Sequence, residues 1–402
     1  VYEDLKKSKD ILRKELNVDS LAIIWPYGAV SPETTKIAER AGFPLSFSLG
    51  VDSLNKKADS TFQRGLVMNN PSAEDLHQQM TEFVNYQHLS NAVPMRALTL
   101  DLKQFKSASV DQGNQILGMA LNQISALASN TLILKVLNDE NHDGVYDQAY
   151  FPTLHLAVDQ DLTNRVTWQA RTRVFNRVTA QLPLYPDPNR PALALDLAED
   201  LVKNNKGIDG IMLNAGNRLQ CIFQRSETLD LSCQERLNQI IQLSDGIQKR
   251  THPYLNISNN QRFSLQLQYQ PADNSPLLQT FNRLKNHYSL INFQINSLKQ
   301  PKALQGFIEQ AQAFSALDKS RLMVTLNSDD IQKTQTPQQW QQLQQDLLSL
   351  QRIGIQKLAI NEYSFQNAAQ VHQYLYTPLS LNPNSLLYRD PFQLESKQGA
   401  QK

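Results

Sequence analysis

Residues Asn130 to Thr153 read NTLILKVLNDENHDGVYDQAYFPT, and the reading of this stretch decides the fold. Thr131 to Leu137 is an apolar run of strand length, followed at once by a loop dense in Asp, Asn and Gly. Tyr150, Phe151 and Pro152 close the loop. In barrels of alternating strands and helices, chemistry sits at the C-terminal strand ends. Asp and Asn hydrogen-bond hydroxyls and aromatic faces stack on sugar rings, so an acidic loop placed there suggests a sugar site. Two plainer readings stand beside it. Asn-His-Asp-Gly is also ordinary turn chemistry. Asp139, Asn141, Asp143, Gly144 and Asp147 fit part of a calcium loop, but Tyr150 stands where that loop needs a bidentate Glu.

Working outward, short apolar runs alternate with helical patterns. Strands are predicted over Arg96–Leu102, Thr131–Leu137, Arg177–Pro183, Gly210–Leu213, Phe263–Tyr269, Leu290–Ile295, Arg321–Leu326 and Lys357–Ile360. Helices are predicted over Asp111–Ala128, Leu162–Arg173, Leu229–Lys249 and Pro337–Ile353. Such alternation is the pattern of a closed parallel (β/α)8 barrel of the TIM type, expected over residues 95–375 with a tail over 376–402. Ahead of it, residues 1–90 form a separate α/β segment. It has a helix to Asn17, strands at Leu21–Trp25, Ser46–Leu49 and Gly65–Met68, and a helix from Pro32 that ends at Gly42. Asn69-Asn70-Pro71-Ser72 caps a further helix to about Tyr86, and the boundary falls between Gln87 and Pro94.

The chain has 402 residues, is 41% hydrophobic and carries a net charge of +1, so nothing in its charge argues for nucleic acid. No apolar run is long enough to span a bilayer. The histidines form no His-x-x-x-His pair. Cys221 and Cys233 are the only cysteines, and their spacing leaves a disulfide and two separate thiols equally open. The chain opens at Val1 in a helical pattern with no signal peptide, which suggests a trimmed mature protein or a fragment.

The loop resembles the glycoside-hydrolase domain of the periplasmic poly-β-1,6-N-acetylglucosamine deacetylases of biofilm export. In that family a strand, an Ala-Asp pair, an Asp-rich loop and an aromatic-Phe-Pro closure follow one another. The counterparts here are Asn138-Asp139, Asn141-His142-Asp143-Gly144 and Tyr150-Phe151-Pro152. The run Asn164 to Arg173, NRVTWQARTR, resembles the family's next helix, and Leu98 to Phe105, LTLDLKQF, its first barrel strand. Ile24-Trp25-Pro26-Tyr27-Gly28 resembles a turn near the end of the family's deacetylase domain, so residues 1–90 look like the C-terminal part of that domain.

The resemblance implies a glycan groove at the barrel mouth. Asp139 would be the general acid, with Asp101, Asp143 and Tyr150 around the substrate; Trp25 and Tyr27 would line the acetyl pocket of a longer protein. Other acids of the family are absent: Asn214-Ala215-Gly216 replaces a His-Asp-Asp triplet, Lys103 replaces an acid, and Asn296-Ser297-Leu298-Lys299 replaces a stretch ending in Glu. Gln181 stands where the family has an aromatic, with Tyr185 nearby. Glycosidases need a second carboxyl group or the substrate's own acetamide, so binding without cleavage is expected. The deacetylase's metal-holding Asp and two His have no counterpart, and no metal or cofactor is expected. The implied ligand is partly deacetylated poly-β-1,6-N-acetylglucosamine, whose glucosamine ammonium groups suit acidic loops. The implied place is the periplasm or the outer membrane, with an export porin as partner. Rival expectations are an active deacetylase or hydrolase when complete, and a non-catalytic scaffold.

Overall fold

The computed structural model describes residues 1–49, 61–64, 94–107, 109–171, 177–223, 229–255, 263–269, 277–296, 300–326, 336–361 and 368–381. The first two spans hold helix α1 (Tyr2–Leu16), strand β1 (Ala22–Ile24), helix α2 (Pro32–Arg40) and strands β2 (Leu45–Leu49) and β3 (Thr61–Arg64). The strands pair in parallel in the order β1-β2-β3. Helix α2 begins where expected because Ser31 and Thr34 form a capping box and Pro32 fills the first turn, where its missing N–H costs nothing. The expected strand at Gly65–Met68, the helix to Tyr86 and the boundary at 87–93 lie outside the described residues.

The barrel strands are β4 (Met95–Asp101), β5 (Thr131–Lys135), β9 (Arg177–Pro183), β10 (Gly210–Asn214), β11 (Phe263–Gln268), β12 (Leu290–Ile295), β13 (Leu322–Leu326) and β14 (Lys357–Ile360). They close in that order, all parallel. The fold is therefore the expected eight-stranded α/β barrel. Three short strands, β6 (Leu137–Asn138), β7 (Gln148–Ala149) and β8 (Ala157–Val158), form a separate small sheet between β5 and β9. The expected single strand Thr131–Leu137 is thus two strands. The chain leaves the barrel after Lys135, and Leu137–Asn138 pairs antiparallel with Gln148–Ala149.

Helices α3 (Val110–Ser125), α4 (Leu162–Arg171), α5 (Leu193–Asn204), α6 (Leu231–Thr251), α7 (Leu277–Leu284), α8 (Pro301–Ala311) and α9 (Pro337–Arg352) follow the strands in alternation. Strand residues are buried on both faces because helices cover the outside while the lumen closes inside. Residues 376–381, expected in the tail, complete the packing. Leu379 is in the main core, Pro378 O accepts from Arg96 Nε at 3.0 Å, and Leu381 N donates to Ala128 O at 3.0 Å.

The lumen is layered. Met95, Ala97, Ile133, Met212, Leu290, Met323 and Ala359 form an apolar floor. Above it lies an amide layer that apolar strand patterns do not announce. Gln181 donates to Gln266 at 2.9 Å, Gln266 to Gln294 at 2.5 Å, Asn292 to Gln266 at 3.0 Å and Thr325 to Asn292 at 2.8 Å. Each buried amide finds a partner, which is the condition for tolerating polar groups at this depth.

Candidate functional site

The alternation of strand residues decides what reaches the barrel mouth. Ile133 belongs to the lumen floor, so Lys135, two residues on, faces the same side at the C-terminal end of β5. Its register partners are Asp101 on β4 and Gln181 on β9. Burial lowers the Lys135 ammonium from its ordinary 10.5 to about 8, and the Asp101 charge opposes that shift. Asp101 also caps the turn that follows β4, accepting from Lys103 N at 2.8 Å. The inner mouth is thus a carboxylate facing a largely buried amine. Sequence reasoning missed Lys135 by treating its strand as uniformly apolar; the alternation Thr131, Ile133, Lys135 was the available signal.

The acidic loop stands above this pair. Asp139 accepts from the backbone N–H of Asp143 at 3.2 Å through one oxygen, and from that of Gly144 at 2.9 Å through the other. Asp143 accepts from Val145 N at 2.8 Å, and Asp147 from Glu140 N at 3.3 Å. Gly144 has φ +89°, which a side-chain-bearing residue would reach only with strain. These bonds make the loop a self-organised turn. Asp143 is exposed at its rim. Among the described residues, no group of three or more His, Cys, Asp or Glu is placed to hold a metal ion.

Tyr150 does not present a stacking face. It is 1% exposed and packs in the main core. Its backbone ties strand to helix: Tyr150 N donates to Val136 O at 3.0 Å, and its carbonyl accepts from Thr163 N at 2.9 Å. Burial, with Asp101 next in weight, pushes its phenol well above the ordinary tyrosine range. Tyr146, on the same loop, is half-buried and packs against the main core, and its phenol is raised by burial first, then by Asp139 and Asp101. Tyr146 N donates to Pro186 O at 2.8 Å, joining this loop to the one after β9.

On the β9–β10 side, the Arg218 guanidinium lies 4.3 Å from the Tyr185 ring centroid, close enough for a cation–π contact. Asn214, the first of the three residues that stand in place of the His-Asp-Asp triplet, accepts from Gly216 N at 2.9 Å and so caps its own turn. Gln181 is held in the amide layer, and of the stretch 296–299 only the buried Asn296 is described. Cys221 and Cys233 are disulfide-bonded, with Cα atoms 5.8 Å apart. The bond ties the loop beyond β10 to the first turn of α6. Trp25 is buried among Val30, Ala38, Ala41 and Phe43 in the N-terminal segment. The backbone of Tyr27 lies in the turn Pro26–Gly28, and its side chain is outside the described residues.

Residues 99–210, which span Asp101, Lys135, the acidic loop and the start of β10, match the family model described as hypothetical glycosyl hydrolase family 13. The poly-β-1,6-N-acetyl-D-glucosamine N-deacetylase of Escherichia coli O157:H7 is 26% identical over 181 residues. The same enzyme of Escherichia coli strain K12 is 25% identical over 181 residues. The chain is a relative of the poly-β-1,6-N-acetyl-D-glucosamine N-deacetylases. The match covers 45% of this chain and 26% of either N-deacetylase, so the chain spans about a quarter of their length. The glycoside hydrolase domain of PgaB (BpsB) from Bordetella bronchiseptica superposes with a TM-score of 0.57 at 19% identity, over 72% of this chain and 99% of that domain. That likeness is one of fold.

Proposed function

We propose that the barrel binds poly-β-1,6-N-acetylglucosamine across its C-terminal mouth without cleaving it, as part of exopolysaccharide handling in the cell envelope. One observation carries the reading: the carboxylates that could flank a glycosidic bond already have other work. Asp139 spends both oxygens on its own loop, Asp101 caps the turn after β4 and faces Lys135, and Ala215 and Gly216 stand where the resemblance implies two further acids. A glycosidase needs one carboxyl free to give a proton and a second group to attack or activate water. What remains at the C-terminal strand ends is the buried amide layer, with Tyr146 on the loop after β6 and Tyr185 on the loop after β9. The N-deacetylase relatives, named for this polymer, support the choice of glycan. The exposed Asp143 suits the glucosamine ammonium groups of a partly deacetylated chain.

Calorimetry with β-1,6-linked oligomers tests the reading, run beside chromatography for released sugars. Binding without products is expected. Product release that Asp139→Asn abolishes would restore the hydrolase reading, and absence of binding would end the glycan reading. A second reading, docking of an envelope partner such as an export porin, is favoured by Trp168 on α4, which is 65% exposed. Periplasmic location fits both readings and the disulfide; fractionation of cells producing the full protein tests it.

A further inference from the structure

Lys135 is a cation that the glycan reading did not call for. It lies at the end of a barrel strand on the lumen side, with Asp101 and Gln181 as its neighbours across the ladder. Tyr146 and Tyr150 are the other groups that respond to Asp101, and neither carries positive charge. A protonated glucosamine reaching Asp101 would therefore meet the Lys135 ammonium group on the neighbouring strand, which already interacts with that carboxylate. Two cations compete there for one anion in a partly desolvated space, where like charges repel strongly. An acetamido group meets no such obstacle, because its carbonyl oxygen is an acceptor and Lys135 has only donors to offer.

We propose that Lys135 makes the inner end of the mouth a subsite for the uncharged, N-acetylated hexosamine unit. Its ammonium donates to the acyl carbonyl oxygen, and its charge excludes a glucosamine ammonium from Asp101. The inference rests on the glycan reading and deepens it. The exposed acids of the loop remain open to cationic units, while the inner position selects acetylated ones.

The experiment is calorimetry at pH 6.5 with fully acetylated and fully deacetylated β-1,6-linked pentamers, on the protein as it exists and on three variants. Lys135→Met is expected to shift the ratio of affinities toward the deacetylated pentamer by about tenfold or more, the worth of one charge-assisted contact. Lys135→Arg is expected to restore the original ratio. Asp101→Asn, which leaves the lysine in place, is expected to weaken the deacetylated pentamer further while changing the acetylated one by less than about threefold. It keeps the inference testable if Lys135→Met fails to fold. If both pentamers bind and neither Lys135→Met nor Asp101→Asn moves their ratio, the inference fails while the glycan reading stands. If neither pentamer binds any form of the protein, both fail.

Discussion

Replacing Lys135 by Met removes a charge that the fold holds at a cost, and the size of that cost follows from the structure. The Lys135 ammonium is brought from 10.5 to about 8 by burial, against a smaller opposing effect of Asp101. At about 1.4 kcal/mol per pH unit, holding the charge at neutral pH costs roughly 3 kcal/mol, trimmed to roughly 2–3 by the side chain's partial exposure. Between about pH 8 and 10.5 the unfolded chain keeps this proton and the folded chain has lost it. Wild-type stability gained from this group therefore rises with pH across that window. The Met variant has no such rise. Its stability relative to wild type should be greatest near pH 7 and should fall by roughly 1.5 kcal/mol at pH 9.5, where most of the cost has gone. Urea unfolding of both proteins at the two pH values measures it, with the other titrating groups cancelling in the comparison. A stability difference that is the same at both pH values, or a Met variant that gains on wild type as pH rises, would refute the reasoning. Either result would mean that the attraction of Asp101, rather than burial, governs the lysine.

Replacing Cys221 and Cys233 together by Ser opens a closed loop with a sequence separation of 12; the loss should be roughly 3 kcal/mol by loop entropy, read as a lower urea midpoint. Gly207→Ala would put a Cβ 2.7 Å from Thr167 Cβ, and because Thr is stiff at χ1 the expected cost is about 1–3 kcal/mol, measured by thermal melting. Asp209→Ala removes the carboxylate that accepts from Val178 N at 2.8 Å; a buried N–H left without that acceptor should cost about 1–3 kcal/mol and speed amide exchange at Val178.

Much of the barrel was legible because helices and short strands leave different periods in the sequence. The expected strands Arg177–Pro183, Leu290–Ile295 and Lys357–Ile360 agree with the structure to the residue. The rule that an apolar run is one strand broke down at Thr131–Leu137. Val136 and Leu137 are as apolar as the residues before them, yet the chain turns there to build a second small sheet. Reading Tyr150 as a stacking surface overlooked that an aromatic next to Phe151 and ahead of a helix has core to fill. Tyr146, one turn earlier in the loop, is the ring that stays half-exposed. The amide layer was illegible for a further reason. Gln and Asn at lumen positions look polar in sequence, and only mutual hydrogen bonds make their burial affordable.

By itself the sequence determined a barrel of alternating strands and helices, an Asp-rich loop at the end of its second strand, and a kinship with glycan-processing proteins. Each is written in local periodicity or in contiguous motifs, which neighbouring residues carry without help from the rest of the chain. The tertiary structure alone decided that Asp101 faces Lys135 and that Cys221 meets Cys233. Those outcomes depend on distance and burial between segments that the fold brings together. Coulomb energy and desolvation vary steeply with both, and spacing along the chain encodes neither.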